Sequence, residues 1–105
     1  MNVCSGVVDC VAQAASQDQP WSLGTGSGTR AVVISVQFPA GTFANPPQVT
    51  LGITSINTVT QAETNGLAVY GNAQAIDNQE FNLQVSTADN VIISALSYQW
   101  IAIGD

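Results

Sequence analysis

Two alternating runs fill the last quarter of the chain. Phe81, Leu83 and Val85 alternate with Asn82, Gln84 and Ser86, the two-residue period of a half-buried strand. Ala88, Asp89 and Asn90 then interrupt with turn-forming residues. A second run follows from Val91 to Ile103, and the pair reads as an antiparallel hairpin. In strict alternation this second strand is apolar on both sides. Ile92, Leu96, Tyr98 and Trp100 fall on one side, and Val91, Ile93, Ala95, Ile101 and Ile103 on the other. One side serves the core of a single chain. The other calls for a second sheet or another subunit.

The preceding chain repeats this grammar. Met1–Val8 can form a first strand. Arg30–Phe38 is a clear one, with Val32, Ile34, Val36 and Phe38 on one face, and Val49, Leu51 and Ile53 alternate with polar residues and Gly52 in the next. A fourth runs from Leu67 to about Ala75. Ser16–Thr29 reads as a long loop ending in Gly24, Gly26 and Gly28 interleaved with Thr25 and Ser27. It lacks the lysine of a phosphate-binding loop. Pro39–Pro47, the Thr-rich Asn57–Asn65 and Ile76–Gln79 are further connections. Only Val11–Ser16 carries even a weak helical period. Six strands separated by Gly, Pro and Asn turns predict an all-β fold, a six-stranded antiparallel sandwich. The 105 residues form one domain, 1–105.

Charge excludes several activities. The net charge is −6, with one Arg, no Lys and no His. Phosphates and anionic lipids therefore meet nothing to neutralise them, so neither nucleic acid nor an anionic membrane surface is a partner. No apolar run approaches the ~20 residues that span a bilayer. Charged residues are only 8% of the chain, against about 25% in ordinary domains. The polar surface must therefore be built from Ser, Thr, Asn and Gln, which suit hydroxyl-rich ligands. Without His or Lys there is no general base, and neither Cys4 nor Cys10 has a partner base. Asp77 with Glu80, or Glu63 with Asp89, are the only carboxylate pairs to consider for hydrolysis. The chain is expected not to be an enzyme. Zinc is ruled out by two cysteines without histidine. No cofactor is expected, although loop carboxylates and carbonyls leave calcium open.

The order Phe38, Phe43-Ala44-Asn45-Pro46-Pro47-Gln48-Val49, Leu51–Asn57, Phe81 and Trp100–Ile103 resembles the H-type lectin domain family. That family includes the snail agglutinins and the C-terminal domain of discoidins. Ser5–Cys10 is similar to the opening of the snail agglutinin, and Arg30 sits where the family often has arginine. The resemblance implies a trimer or a dimer of trimers, acting outside the cell. It implies a site for galactose or N-acetylgalactosamine near the subunit boundary. The family's site Asp falls on Ser27, its Arg on Ala68, its aromatic and His on Ala88 and Asp89, and its Tyr on Ser94. The ionic and aromatic parts are thus largely replaced. The remaining candidates for ligand contact are Trp21, Thr25, Gly26, Ser27, Asp89, Asn90 and Ser94. A stacking ring must come from elsewhere, such as Trp21 or Tyr70. Relatives with cysteine at the Cys10 position bridge it to a position that is Val85 here, so two free or interchain thiols are expected. The chain shows no secretory signal, which is compatible with a removed leader or with assembly into a virion. The alternative to a lectin is a structural or oligomerisation module, for instance of a phage tail fibre or a secreted microbial assembly.

Overall fold

The computed structural model describes residues 1–59, 69–88 and 91–105. Among the described residues six strands form, in the order β1 (Asn2–Asp9), β2 (Arg30–Gln37), β3 (Gln48–Val59), β4 (Tyr70–Gln74), β5 (Glu80–Thr87) and β6 (Ile92–Gly104). They make two three-stranded antiparallel sheets, ordered β1-β6-β3 and β2-β5-β4. The inner faces meet in one core. Val32, Ile34, Phe81, Leu83 and Val85 come from one sheet, and Ile93, Leu96, Tyr98, Trp100 and Ala102 from the other. Trp100 lies 5.7 Å, centroid to centroid, from both Phe38 and Phe81. A short helix, α1 (Cys10–Ser16), starts where the Asp9 carboxylate accepts from the Ala12 N–H at 3.4 Å. Its Cys10 and Ala14, one turn apart, face the core.

Two expectations about the last quarter are corrected. β5 and β6 are not a hairpin: they lie in different sheets. Successive strands here belong to opposite sheets instead of pairing within one. The hairpin is β4–β5, whose turn is set by the Asp77 carboxylate accepting from the N–H groups of Gln79 (2.7 Å) and Glu80 (2.8 Å).

The second correction concerns the two sides of β6. Its pairing with β3 shifts register between Asn57 and Thr58, which leaves Ser94 as an extra residue, a β-bulge. Parity reverses there. Val91 and Ile93 therefore join Leu96, Tyr98 and Trp100 inside, while Ile101 and Ile103 face outward at 39% and 41% exposure. A second shift leaves Thr54 unpaired in β3. Both bulges carry a hydroxyl residue, and each hydroxyl donates across to the facing strand. Ser94 Oγ reaches the Asn57 carbonyl and Thr54 Oγ1 the Ser97 carbonyl, both at 3.2 Å.

The edge of β2 is guarded by one side chain. The Gln17 amide donates to the Ser35 carbonyl and accepts from its N–H, both at 2.9 Å. It thereby occupies the place of a pairing strand. On the opposite edge strand, Gly71 makes room for a ring. A Cβ there would overlap the Tyr98 hydroxyl and ring, and Tyr98 is only 3% exposed. Gly71→Ala is expected to destabilise the fold by about 1–3 kcal/mol through overpacking. Urea denaturation of the single variant and of G71A/Y98F checks the cause. Losing the hydroxyl in the double variant must restore part of the deficit.

Candidate functional site

The loop between α1 and β2 gains its shape from two long-range ties. After α1 the chain forms a 3-10 turn, Ser22–Gly24, with Leu23 fully buried. Trp21 precedes it, half-buried, and its indole N–H donates to the Ile93 carbonyl at 2.8 Å. Gly24 lies against the indole, where a Cβ would come within 3.0 Å of Cδ1. Gly26 and Gly28 then adopt φ of 78° and 79°, the left-handed region that glycine enters without strain. Thr25, Gly26 and Ser27 are all exposed between these turns.

Arg30 closes the loop. Its guanidinium donates from Nη1 to the Gly28 carbonyl at 2.9 Å and from Nη2 to the Val91 carbonyl. The only cation among the side chains is thus spent on fastening the glycine loop to the start of β6. Since Val91 N–H donates back to Ala88 at 3.3 Å, the glycine loop and the connection after Thr87 are drawn to one end of the molecule. The resemblance marked Arg30, but nothing in the sequence alone gives it this role. The signal was its being the sole basic side chain beside a run of small residues.

The candidates fare differently. Thr25, Gly26 and Ser27 share the exposed loop, and the tied carbonyl of Ile93 brings Trp21 to the same end. Trp21 has its N–H committed, which leaves ring faces as its only free chemistry. Ser94 is exposed, but its hydroxyl serves β3. Asp89 and Asn90 lie outside the described residues, as do Ala68 and Glu63. Asp77 is used in its turn, and Glu80 accepts from Ser35 Oγ at 3.0 Å. Among the described residues no three His, Cys, Asp or Glu side chains gather to hold a metal. No helix among the described residues is long and apolar enough to cross a membrane.

Both thiols are free. Burial, and then the charge of Asp9, push the Cys10 thiol from 9.0 up to about 12. Burial also raises Cys4 and Tyr98, the latter with Cys10 as a second cause. Neither cysteine is an activated nucleophile. An acid whose pKa rises on folding stabilises the fold fully below its unfolded value, and that contribution disappears as pH climbs through the folded value. Stability is therefore expected to fall between pH 9 and about 12. Urea midpoints across that range will show it. Cys10→Ala is expected to flatten the decline partly, with Tyr98 and Cys4 supplying the remainder.

The geometry can be set beside known proteins. Two solved structures of discoidin II from Dictyostelium discoideum share the fold. The recombinant form has 25% identity, covering 95% of this chain and 35% of that one, with a TM-score of 0.78. The wild-type form has 24% identity, covering 97% and 36%, with a TM-score of 0.80. This chain therefore spans about a third of the length of either. No curated protein matches it. The signature of the H-type lectin domain extends over residues 33–103, from β2 to β6, and the chain belongs to that family.

Proposed function

We propose that residues 1–105 are a single carbohydrate-binding domain that works outside the cell or on a virion as a homotrimer or a dimer of trimers. Family membership supports the ligand class. The observation that carries the reading is the Arg30 tie, which holds the Thr25–Gly28 loop against the start of β6. Thr25, Gly26 and Ser27, with Asp89, Asn90 and Ser94, form the contact set for a galactose or N-acetylgalactosamine unit, and a face of Trp21 supplies apolar contact. Such a site has small polar groups and no cation free to clamp an anion. Its affinity is that of a weak lectin, near millimolar or about −4 kcal/mol. Repetition in the oligomer then raises retention on a glycan surface by ~10²–10⁴.

The outer face of β1-β6-β3 supports assembly. Val3, Val7, Ile101 and Ile103 are exposed there at 61%, 70%, 39% and 41%, with Val3 directly opposite Ile103. A glycan array probed with the intact oligomer tests the binding. The expected result is retention on galactose-class glycans, competed by free sugar. Silence from folded protein would reject it. A structural module remains the second reading, favoured by the replacement of the family's site residues by Ser27 and Ala88. Retention of a protein partner with no glycan binding would decide for that alternative.

A further inference from the structure

The outward face of β2-β5-β4 differs in chemistry from the opposite outer face. Register places three pairs side by side on it: Tyr70 with Ser86, Asn72 with Gln84, and Gln74 with Asn82. Their neighbours Phe81, Leu83 and Val85 are buried, so these six side chains stand on the solvent side. Tyr70 is 60% exposed. None of the six makes a side-chain hydrogen bond within the described residues. Some amides elsewhere are used structurally, Gln17 on Ser35 and Asn2 on the Thr42 carbonyl at 2.8 Å, whereas Gln37 and Gln99, like those on this face, make no side-chain hydrogen bond within the described residues. Four side-chain amides, each offering donors and an acceptor, are thus left uncommitted beside one bare ring.

We infer that this face is a second carbohydrate surface, a platform for an extended neutral glycan, with Tyr70 stacking on one pyranose and Asn72, Gln74, Asn82 and Gln84 hydrogen-bonding the units that follow. Polysaccharide units present vicinal hydroxyls along their edges and a C–H patch on their faces. An amide ladder matches the first and a phenol ring the second. The six residues carry no charge, so an ionic ligand gains nothing from them. A protein partner would require an apolar centre, and the only large aliphatic residue exposed on this face among the described residues is Val33, opposite Gln84. Rows along β4 lie about 7 Å apart and the ladder from Tyr70 to Gln74 runs roughly 14 Å, long enough for a short run of sugar rings. Tyr70 sits at the same end of the molecule as Arg30, since both pair with the last residues of β5. A chain lying on the face therefore runs away from that end. The inference shares only its ligand class with the proposed function and stands whether or not the glycine loop binds galactose.

Titration calorimetry and amide-shift mapping with two neutral probes, cellohexaose and N-acetylchitohexaose, test it on the intact protein. At least one hexasaccharide is expected to bind about tenfold more tightly than its disaccharide, shifting amides of β4 and β5. Tyr70→Ala, and Asn72→Ala with Gln84→Ala, are each expected to weaken it about tenfold, the equivalent of one or two hydrogen bonds. Thr25→Trp, which crowds the glycine loop, must leave hexasaccharide binding intact while removing galactose-class retention. Thr25, Tyr70 and Asn72 are exposed and Gln84 is half-buried on the outward side, and circular dichroism verifies the fold. No binding of either hexasaccharide, or unchanged binding by the Tyr70 and amide variants, overturns the inference. Hexasaccharide binding beside a silent galactose array sinks the loop site and leaves this face standing.

Discussion

Replacing Trp100 with alanine is expected to destabilise the fold by about 3–5 kcal/mol, a large part of the 5–15 kcal/mol that holds a typical domain. The indole is 6% exposed and lies between the two sheets against Phe38 and Phe81. Its other side rests on Gly6, the residue directly opposite on β1. A Cβ on Gly6 would come within 2.9 Å of the indole Cζ2 and Nε1. Ring and glycine are thus one packing unit. Removing the ring leaves a cavity that Gly6 has no side chain to fill. Gly6→Val alone fails for the opposite reason, pressing on a ring that cannot move, at about 1–3 kcal/mol. The two changes are therefore expected to be non-additive. W100L/G6V must lose clearly less than the sum of its single variants in urea denaturation. Strict additivity would show that ring and glycine do not share one space.

This pair also shows how far the sequence could be read. Alternation made every strand legible, because burying one face imposes a period of two. It revealed neither the bulge at Ser94 nor the hairpin partner of β5. A bulge is one hydroxyl residue among many, and only its cross-strand bond to Asn57 distinguishes it. A turn within a sheet and a crossing between sheets both appear as two alternating runs around small residues. The glycine loop was legible as a loop, since three interleaved glycines suit little else. The hydrogen bonds that fix its position, Arg30 to Val91 and Trp21 to Ile93, join residues 61 and 72 apart. No local pattern encodes such a contact. Trp21 illustrates the consequence. Its loop setting suggested a ligand platform, yet its N–H is already taken. Tyr70, the other ring considered, is the exposed one.

Ile101→Lys is expected to break the proposed oligomer into monomers and lower retention on a glycan surface by ~10²–10⁴. The position lies in the central strand of the β1-β6-β3 sheet, opposite Ser5, with Ile103 and Val3 as the next pair on that face. A lysine there stays solvated in the monomer, since Ile101 is already 39% exposed, so thermal stability of the subunit should shift little. In the assembly it must lose its water. Burying an unpaired ammonium is far more costly than losing the contact of one isoleucine. Overall charge pushes the other way. The substitution adds one positive charge to a chain of net charge −6, which reduces repulsion between copies. Dissociation would therefore report desolvation at this face and not general electrostatics, and Ile101→Glu, which adds repulsion, should dissociate at least as fully. Sedimentation velocity across a range of concentrations and salt gives the answer. An unaltered oligomer in both variants would place the subunit contacts elsewhere, and a monomeric parent protein would remove the basis for multivalent binding.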